Sequence, residues 1–343
     1  MEIGIIGLAQ SGKSTLFQVM TGVKSSEIFG EPCIRGVAAV PDQRFDRLVE
    51  IFSPAKVSPA RVPFIDVNAA GESTWDSIRQ SLTTADAFVH VIDAFTASDV
   101  SEVTARYRKL ADELAFSDLV IVENRLERLK RIPKQSHGFE ETVHAAVLPR
   151  AKEHLEAGKP LRAMAMSDDE RHMLRGFAFW TLRPELVVVN VRDDNLSFAE
   201  AFANEGAAAS PVIGINCMLE GEIAELPPHE RQSFLEPMGI AEPAFERIIR
   251  AAFELLGRIR YFTVGEDEVK AWLIPQGSSA PRAAAAIHKD FERGFIKAEV
   301  VSYDDFIACG GTLAGAKAAG KQRLEGKDYI VKDGDIISFR FNV

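Results

Sequence analysis

The sequence predicts an α/β protein: a parallel sheet covered by helices on both faces carries an inserted helical hairpin and is followed by a small α+β module. Three observations lead to this prediction. Short continuous apolar runs alternate with helical patterns, which is typical of buried parallel strands. Between Asp93 and Leu186 no comparable run occurs, and two long helical patterns occur there instead. After Gly257 the sequence changes to short strands separated by turn residues.

Length and composition are those of an ordinary globular protein with several domains. The chain has 343 residues, of which 46% are hydrophobic and 26% charged. The sequence contains no stretch of eighteen uncharged apolar residues that could cross a bilayer, and its first residues lack the pattern of a secretory signal. We therefore expect a cytoplasmic protein with no membrane partner.

Charge and cysteine usage exclude further classes. The net charge of -10 argues against nonspecific coating of nucleic acid by the whole surface, so no DNA partner is expected. Cys33, Cys217 and Cys309 are widely spaced and include no CxxC pair. This spacing suits reduced thiols better than a disulfide framework or a zinc site, and we assign the cysteines no chemistry.

The predicted sheet strands end in polar or turn residues. They cover residues 3–6, 62–66, 87–93, 186–190 and 211–215. Ligands of such sheets bind beyond the carboxyl ends of the strands. Gly7, Asp66 and Asn190 all follow or end these runs, so the sequence predicts a ligand site formed by them.

The insertion is predicted to be an antiparallel helical hairpin. Its two helical patterns cover residues 100–132 and 139–158, joined by "PKQSHG". A basic cluster is expected near its tip: Arg125, Arg128, Lys130, Arg131 and Lys134.

The carboxyl-terminal module follows a helix that ends at Gly257, a residue suited to a helix carboxyl cap. Its predicted strands cover residues 261–264, 270–274, 297–301 and 336–341, with a helix near 282–291. The pattern is that of a small α+β module of about 80 residues.

Residues 7–14, "GLAQSGKS", match the phosphate-binding loop pattern GxxxxGK[ST], and they follow a strand and precede a helical pattern. In that setting Lys13 neutralises the β and γ phosphates of a nucleotide, Ser14 ligates Mg²⁺, and Gly7 and Gly12 permit a tight turn. The other residues predicted to contact nucleotide in this stretch are Ala9, Gln10, Ser11 and Thr15.

A Mg²⁺-dependent nucleotide hydrolase also needs a carboxylate at a neighbouring strand end. Asp66 is the preferred candidate, as catalytic residue with Lys13 and as metal ligand with Ser14. Asp93 is the competitor, and either aspartate could be a turn cap instead. His90 lies inside an apolar run and is interpreted as a core residue.

Recognition of the nucleotide base is expected after the most hydrophobic strand. Asn190, Val191 and Asp193 lie there. An asparagine at this position is equally a turn former, so the residues alone leave both interpretations open.

The carboxyl-terminal stretches "AAAIHKDFERGFIKAEVVSYDDF" and "AGKQRLEGKDYIVKDGDIISFRFNV" carry a specific resemblance, which extends over nearly the whole chain. With "ENRLERL" and "IIRAAFELLGRIRYFTVG", they resemble the YchF, or Obg-like ATPase, family. The resemblance implies a Ras-like P-loop domain at 1–97 and 177–257, an inserted antiparallel coiled-coil hairpin at 98–176, and a ubiquitin-like β-grasp TGS domain at 258–343.

The same resemblance implies slow, Mg²⁺-dependent hydrolysis of ATP, in preference to GTP, coupled to the ribosome. The family reads the base with an NxxE segment, whereas this chain has Asp193 in the final position. In "DVNAAG" Ala69 stands where the family's DxxG motif has glycine, and "FGEPCIRG" lacks the family's threonine. These departures leave two alternatives: a nucleotide-binding scaffold with negligible hydrolysis, or a GTP-binding switch.

The sequence also allows two interpretations of the surfaces that could bind a partner. The cations Arg282, Lys289, Arg293 and Lys297 are concentrated in a module whose overall charge is nearly neutral, which favours an ordinary solvated face. The resemblance implies instead that this module and the hairpin tip dock on ribosomal RNA or a ribosomal protein.

Overall fold

The structure, a computed structural model, describes residues 1–24, 33–67, 78, 81–192, 197–206 and 208–342. The chain forms two compact units. The first consists of Met1–Gly36 and Pro63–Ile248, and the second consists of Val37–Val62 and Ile249–Val343.

The described residues form strands and helices that are interspersed along the chain. In chain order the strands are β1 (Ile3–Ile6), β2 (Cys33–Ala39), β3 (Lys56–Ser58), β4 (Arg61–Val67), β5 (Ala87–Asp93), β6 (Glu185–Asn190), β7 (Val212–Ile215), β8 (Arg258–Thr263), β9 (Glu268–Pro275), β10 (Phe295–Ser302), β11 (Arg323–Glu325) and β12 (Asp335–Phe341). The helices are α1 (Lys13–Thr21), α2 (Gln43–Phe52), α3 (Val100–Lys130), α4 (Phe139–Glu156), α5 (Asp168–Leu174), α6 (Ser197–Asn204), α7 (Cys217–Glu225), α8 (Pro228–Leu235), α9 (Ala244–Leu255), α10 (Ala280–Ile287), α11 (Lys289–Arg293), α12 (Tyr303–Ala308) and α13 (Leu313–Ala318).

The sheet of the first unit has the order β2-β4-β1-β5-β6-β7. Strand β1 pairs in parallel with β4 and β5, and β5, β6 and β7 continue the parallel ladder. Every residue of β6 is buried, as expected for a strand covered on both faces. Ile5 pairs with Asp66, and Asp93 pairs with Asn190. The carboxyl ends of these strands therefore meet at one edge, as predicted.

The inserted helices α3 and α4 form an antiparallel pair. Glu123 contacts Lys152, whereas Arg125, two residues later, contacts Glu140, so the contacts run in opposite directions along the two helices. The predicted hairpin extends from residue 98, but the first half of α3 is part of the sheet's own cover. There Val103 and Tyr107 lie in one hydrophobic cluster with residues of β5 and β6. Only the second half of α3 packs against α4.

Unit two is built on a mixed sheet of order β11-β10-β12-β8-β9-β3. Strands β8 and β9 and strands β10 and β12 pair antiparallel, whereas β12 and β8 are parallel. Helix α10 packs on this sheet through Ala280, Ala283 and Ala284. The single helix expected near residues 282–291 is two helices, because His288 has extended backbone angles of φ -155° and ψ 140°.

The segment Val37–Val62 belongs to the second unit, although the sequence analysis assigned it to the nucleotide domain. Strand β3 pairs in parallel with β9. On α2, Phe45 contacts Phe262, and Phe52 stacks on Phe306. These contacts give α2 and β3 their core within the second unit, and the sequence contains no local signal for them.

A partly buried charge network also joins this segment to the rest of the second unit. Asp42 caps α2 and lies 2.9 Å from Arg44 and 3.1 Å from Arg260. Arg44 also reaches Asp333 at 2.7 Å. Burial raises the pKa of Asp42, but the two guanidinium groups outweigh it and lower that pKa.

No helix of the described ranges is long and apolar enough to cross a membrane. The three cysteines form no disulfide.

Candidate nucleotide-binding site

The turn between β1 and α1 requires glycine at two positions. The predicted contact residues of this loop are Gly7, Ala9, Gln10, Ser11 and Gly12. The φ angles of Gly7 and Gly12 are 155° and 97°. A Cβ atom at Gly7 would lie 2.3 Å from the carbonyl oxygen of Val91, and one at Gly12 would lie 2.5 Å from Nδ2 of Asn190. The loop therefore approaches the neighbouring strands more closely than any side chain would allow.

The amino terminus of α1 has features that suit the binding of an anion. Lys13, Ser14 and Thr15 form its first turn, and its N-cap, Gly12, supplies no side-chain hydrogen bond. The first turn contains no acidic residue. The N–H groups of a first turn have no partner within the helix, and the helix dipole is positive at this end. This arrangement suits a phosphate group.

Lys13 lies folded over its own loop. Its Nζ donates a hydrogen bond to the carbonyl oxygen of Leu8 at 2.7 Å. Burial lowers the pKa of the Lys13 ammonium, while the negative charge of Asp66 opposes this shift. The loop therefore holds a cation beside a carboxylate, both in partly dry surroundings.

Asp66 is a fully buried carboxylate near the end of β4. Among the described residues neither of its carboxylate oxygens has a hydrogen-bond partner, and the same is true of the buried Ser11 hydroxyl. Burial raises the pKa of Asp66, against the opposing effects of the neighbouring Ser14 hydroxyl and Lys13 ammonium. Burying a carboxylate whose oxygens accept no hydrogen bond is costly even with a cation nearby, so this group indicates a place where a ligand supplies the missing partner.

Asn190 links β6 to the loop. Its Nδ2 donates to the carbonyl oxygen of Ser11 at 3.2 Å, and its Oδ1 accepts from the N–H of Cys217 at 3.2 Å. Both ends of the amide are therefore engaged in long-range contacts, which is not the geometry of a turn former. Val191, predicted as a contact residue, is buried in a hydrophobic cluster, and its N–H donates to the carbonyl oxygen of Ile215.

The side chains of Asp93 and His90 are occupied by other protein groups. Asp93 accepts hydrogen bonds from the N–H groups of Phe95 and Thr96 and forms an ion pair with Arg106. Asp93 is therefore a turn cap, which is the alternative role predicted for it. His90 is buried in β5, and its Nδ1 lies 3.0 Å from Glu185, which agrees with its interpretation as a core residue.

Some predicted site residues lie outside the described residues: Asp193, residues 68–71 of "DVNAAG" and residues 29–32 of "FGEPCIRG". Residues 33–36 of the latter segment begin β2.

Sequence reasoning missed Cys217, whose backbone positions Asn190. Its sulfur would lie 3.7 Å from a Cβ atom at Gly12, and burial raises the pKa of its thiol to about 12. The signal was available, because Cys217 directly follows Asn216, the cap of α7 after β7, and so lies at the same carboxyl edge of the sheet.

Comparison with known proteins gives matches over the whole chain. A family model named YchF-GTPase_C, described as a protein of unknown function (DUF933), matches residues 258–342. A protein of Haemophilus ducreyi named "Ribosome-binding ATPase YchF" is 39% identical, with 100% of this chain and 99% of that protein covered. Its Bacillus subtilis namesake is 37% identical, with 100% of both chains covered.

Two matches of lower identity are to proteins with related names. "Obg-like ATPase 1" of Oryza sativa subsp. japonica is 33% identical, with 100% of this chain and 92% of that protein covered. The solved "Structure of the Schizosaccharomyces pombe YchF GTPase" superposes with a TM-score of 0.85 at 25% identity and covers 99% of this chain and 97% of that one.

Proposed function

The chain belongs to the YchF family, and from this premise we propose that it is a P-loop ATPase that hydrolyses ATP slowly, requires Mg²⁺ and associates with the ribosome. Relatives named ribosome-binding ATPases match it from end to end. The proposal includes the division into a nucleotide domain at 1–97 and 177–257, a helical insertion at 98–176 and a TGS domain at 258–343, except that Val37–Val62 and residues 249–257 group with the second compact unit. It also includes a cytoplasmic site of action.

One observation carries the enzymatic part of the proposal: the buried carboxylate of Asp66, which has no hydrogen-bond partner among the described residues. Carboxylate and hydroxyl oxygens are the ligands that Mg²⁺ prefers. The Ser14 hydroxyl lies beside this carboxylate, and the phosphate-accepting end of α1 begins one residue earlier. These groups fit a Mg²⁺ ion bound together with phosphate.

Each residue then has a defined task. Lys13 and the first-turn N–H groups bind the terminal phosphates, and Gly7 and Gly12 let the backbone approach them. Ser14 and Asp66 would hold Mg²⁺, and the ion would neutralise charge that develops on the phosphates. The proposal assigns Ala9, Gln10, Ser11 and Thr15 to the rest of the loop, and it assigns recognition of the base to the segment with Asn190, Val191 and Asp193.

A second candidate function follows from the two altered sequence segments. Ala69 in "DVNAAG" and the lack of a threonine in "FGEPCIRG" affect residues expected to sense the γ-phosphate. The loop for the β-phosphate is complete by contrast. A nucleotide-binding scaffold with negligible hydrolysis is therefore the alternative, and a GTP-binding switch is a weaker one because no NKxD segment occurs at Asn190.

Calorimetric titration of the nucleotide-free protein tests these possibilities. ATP, ADP, GTP and a non-hydrolysable ATP analogue are each added with and without Mg²⁺. The proposal predicts ATP binding that Mg²⁺ strengthens, weaker GTP binding, and single-turnover cleavage of bound ATP that is faster than cleavage of free ATP. Binding without cleavage would favour the scaffold, and stronger binding of GTP than of ATP would favour the switch.

The matched variants are Lys13→Ala and Lys152→Ala. Removing the Lys13 ammonium leaves phosphate charge unmatched in a partly dry loop, so ATP affinity falls at least about tenfold. Lys152 pairs with Glu123 on the helical insertion, and its removal leaves ATP affinity unchanged.

A further inference from the structure

Two helices begin at the carboxyl edge of the parallel strands in the first unit, and their amino termini differ. Helix α1 begins after Gly12, which supplies no side-chain hydrogen bond. Helix α7 begins at Cys217 after Asn216, whose Oδ1 accepts from the N–H groups of Met218 at 3.0 Å and Leu219 at 3.1 Å. The first terminus therefore presents N–H donors to a ligand, whereas the second is capped by the protein itself.

The capping of α7 extends over its whole first turn. The Cys217 N–H donates to Oδ1 of Asn190 at 3.2 Å, and the Glu220 N–H donates to the carbonyl oxygen of Asn216 at 2.9 Å. Together with the two N–H groups on the Asn216 side chain, all four N–H groups at this end have a protein acceptor. A ligand that packs here meets the negative end of an amide dipole in place of a donor.

This turn lies against the phosphate loop. A Cβ atom at Gly12 would lie 2.5 Å from Nδ2 of Asn190 and 3.7 Å from the sulfur of Cys217. Met218, the next residue of α7, is 65% exposed. A nucleotide whose phosphates lie on the loop has its base farther along the same edge, where β6 and β7 are neighbouring strands. The first turn of α7 is therefore placed to contact the base.

The two purines of cellular nucleotides differ at the atom that such a turn would read. Guanine carries the acceptor O6, whereas adenine carries the N6 amino donor at the same position. Against the capped turn, O6 finds no donor and faces an oxygen of like partial charge. The amino group of adenine is attracted to that oxygen instead. An unpaired polar atom in such a contact lowers affinity by about tenfold or more.

We propose that Asn216 is a specificity-determining residue, which closes the first turn of α7 and thereby selects adenine over guanine. The inference rests on nucleotide binding in the proposed function. It deepens that function by naming a residue, outside the segment with Asn190 and Asp193, that rejects guanine.

The test measures dissociation constants of ADP, GDP and inosine diphosphate by calorimetry, with the full-length protein and Mg²⁺. Diphosphates are used so that hydrolysis does not enter the measurement. Inosine diphosphate shares O6 with GDP but lacks its 2-amino group, so it separates these two features of guanine. The wild type is expected to bind ADP at least about tenfold more tightly than either of the others.

Asn216→Gly opens the turn, because glycine is tolerated at a helix N-cap but offers no side-chain acceptor. Relative to ADP, the variant is expected to bind GDP and inosine diphosphate at least about tenfold more tightly than the wild type does. An unchanged preference would overturn the proposal. A gain for GDP alone would also overturn it, since the 2-amino group would then be the feature that is read. An equal loss for all three nucleotides would show a merely structural role.

Two further variants isolate the capping oxygen. Asn216→Asp restores an acceptor for both N–H groups and is expected to keep the wild-type preference, because its added charge acts on the three nucleotides alike. Loss of preference in this variant would contradict the proposal. Thr312→Gly is the matched control: Thr312 caps α13 in the second unit and accepts from the Gly315 N–H at 3.0 Å. It is expected to leave all three affinities unchanged, and a shift of preference there would also count against Asn216.

Met218→Ala tests whether the base reaches α7. An exposed thioether packs favourably against either purine, so the variant is expected to weaken ADP and GDP binding alike, by at least about twofold. Unchanged affinities would show that the base lies elsewhere, and the proposal would fail.

The same measurements separate this inference from the proposed function. A wild type that binds none of the three nucleotides would refute both. ADP binding without preference over inosine diphosphate would contradict only the role of Asn216. An intact preference for ADP without cleavage of ATP would contradict only the enzymatic proposal.

Discussion

The side-chain amide of Asn190 donates a hydrogen bond to the carbonyl oxygen of Ser11 at 3.2 Å, although 179 residues separate the two in sequence. The same side chain accepts a hydrogen bond from the N–H of Cys217. One asparagine therefore joins β6, the phosphate loop and the start of α7. The loop's shape depends on this contact as well as on its own glycines.

Asn190→Ala should weaken both stability and nucleotide binding. The substitution leaves the Ser11 carbonyl and the Cys217 N–H without their partner, at a cost of about 2 kcal/mol in the free energy of unfolding. ATP affinity, measured by calorimetry, should fall as the loop loses its tether. Asp118→Ala provides the comparison, because Asp118 bridges the N–H groups of Trp180 and Thr181 away from the loop. It should lower stability without changing ATP affinity, and equal effects on affinity would contradict the tether.

Two glycines at the ends of α1 provide a second test. Gly12 and Gly22 both have positive φ angles, 97° and 71°, so alanine at either position is strained by about 1 kcal/mol. A Cβ at Gly12 also collides with Asn190, whereas nothing lies within 4 Å of one at Gly22. Thermal unfolding should show a loss for both variants, larger for Gly12→Ala. Only Gly12→Ala should lose ATP binding by about tenfold or more, and a similar loss in Gly22→Ala would refute this account.

Asp66→Asn should separate stability from function. Burial raises the pKa of Asp66 above its ordinary value of 3.8, so the folded protein binds a proton at this carboxyl more tightly than the unfolded chain does. Its contribution to stability is present below that ordinary value and is lost as pH rises through the raised pKa. Without nucleotide or metal, the asparagine variant should therefore be more stable than the wild type at neutral pH, and Mg²⁺ should no longer strengthen ATP binding. Chemical denaturation at several pH values and titration with Mg²⁺ measure the two effects.

The effect of Glu185 on stability should have the opposite pH dependence to that of Asp66. Burial raises the pKa of its carboxyl, but the hydrogen bond with His90 and the charge of Arg162 outweigh burial and lower that pKa to about 2. The resulting stability is present above the ordinary value of 4.5 and is lost as pH falls toward 2.

Glu185→Gln should accordingly cost about 3 kcal/mol at neutral pH, because it leaves Arg162 largely buried without its counterion, and it should flatten the acid limb of the unfolding curve. Glu123→Gln removes an exposed ion pair with Lys152 and should cost less than about 1 kcal/mol. Denaturant unfolding between pH 2 and pH 7 compares them. An unchanged acid limb in Glu185→Gln would show that the stability comes from another group.

Much of the fold could be predicted from local sequence. The predicted bounds of the continuously apolar strands, such as β5 and β6, lie within a residue of the observed ones, because burial on both faces leaves a strong signal. The segment Val37–Val62, which contains α2 and β3, has no such signal. Its apolar residues Phe45 and Phe52 bury themselves against residues more than 200 positions away, and a local pattern cannot identify such partners.

The candidate site also has one part that local sequence predicts and one part that it does not. Spacing alone locates the loop, because GxxxxGK[ST] encodes a local backbone shape. The sequence favours Asp66 over Asp93 but does not exclude Asp93, since both end an apolar run. The distinction depends on Arg106 and the turn after β5, which occupy Asp93, while Asp66 has no such partners among the described residues.

Because Val37–Val62 packs in the second unit, its position has consequences for truncating the chain and for the origin of the two-unit architecture. A chain truncated at Gly257 would retain α2 and β3 but lose Phe262, Phe306 and the β9 ladder that cover them. The remaining fragment would expose apolar surface and an unpaired strand, both of which promote aggregation. For the same reason, simple end-to-end gene fusion does not account for the architecture, because Val37–Val62 of the second unit lies in the sequence between two segments of the first.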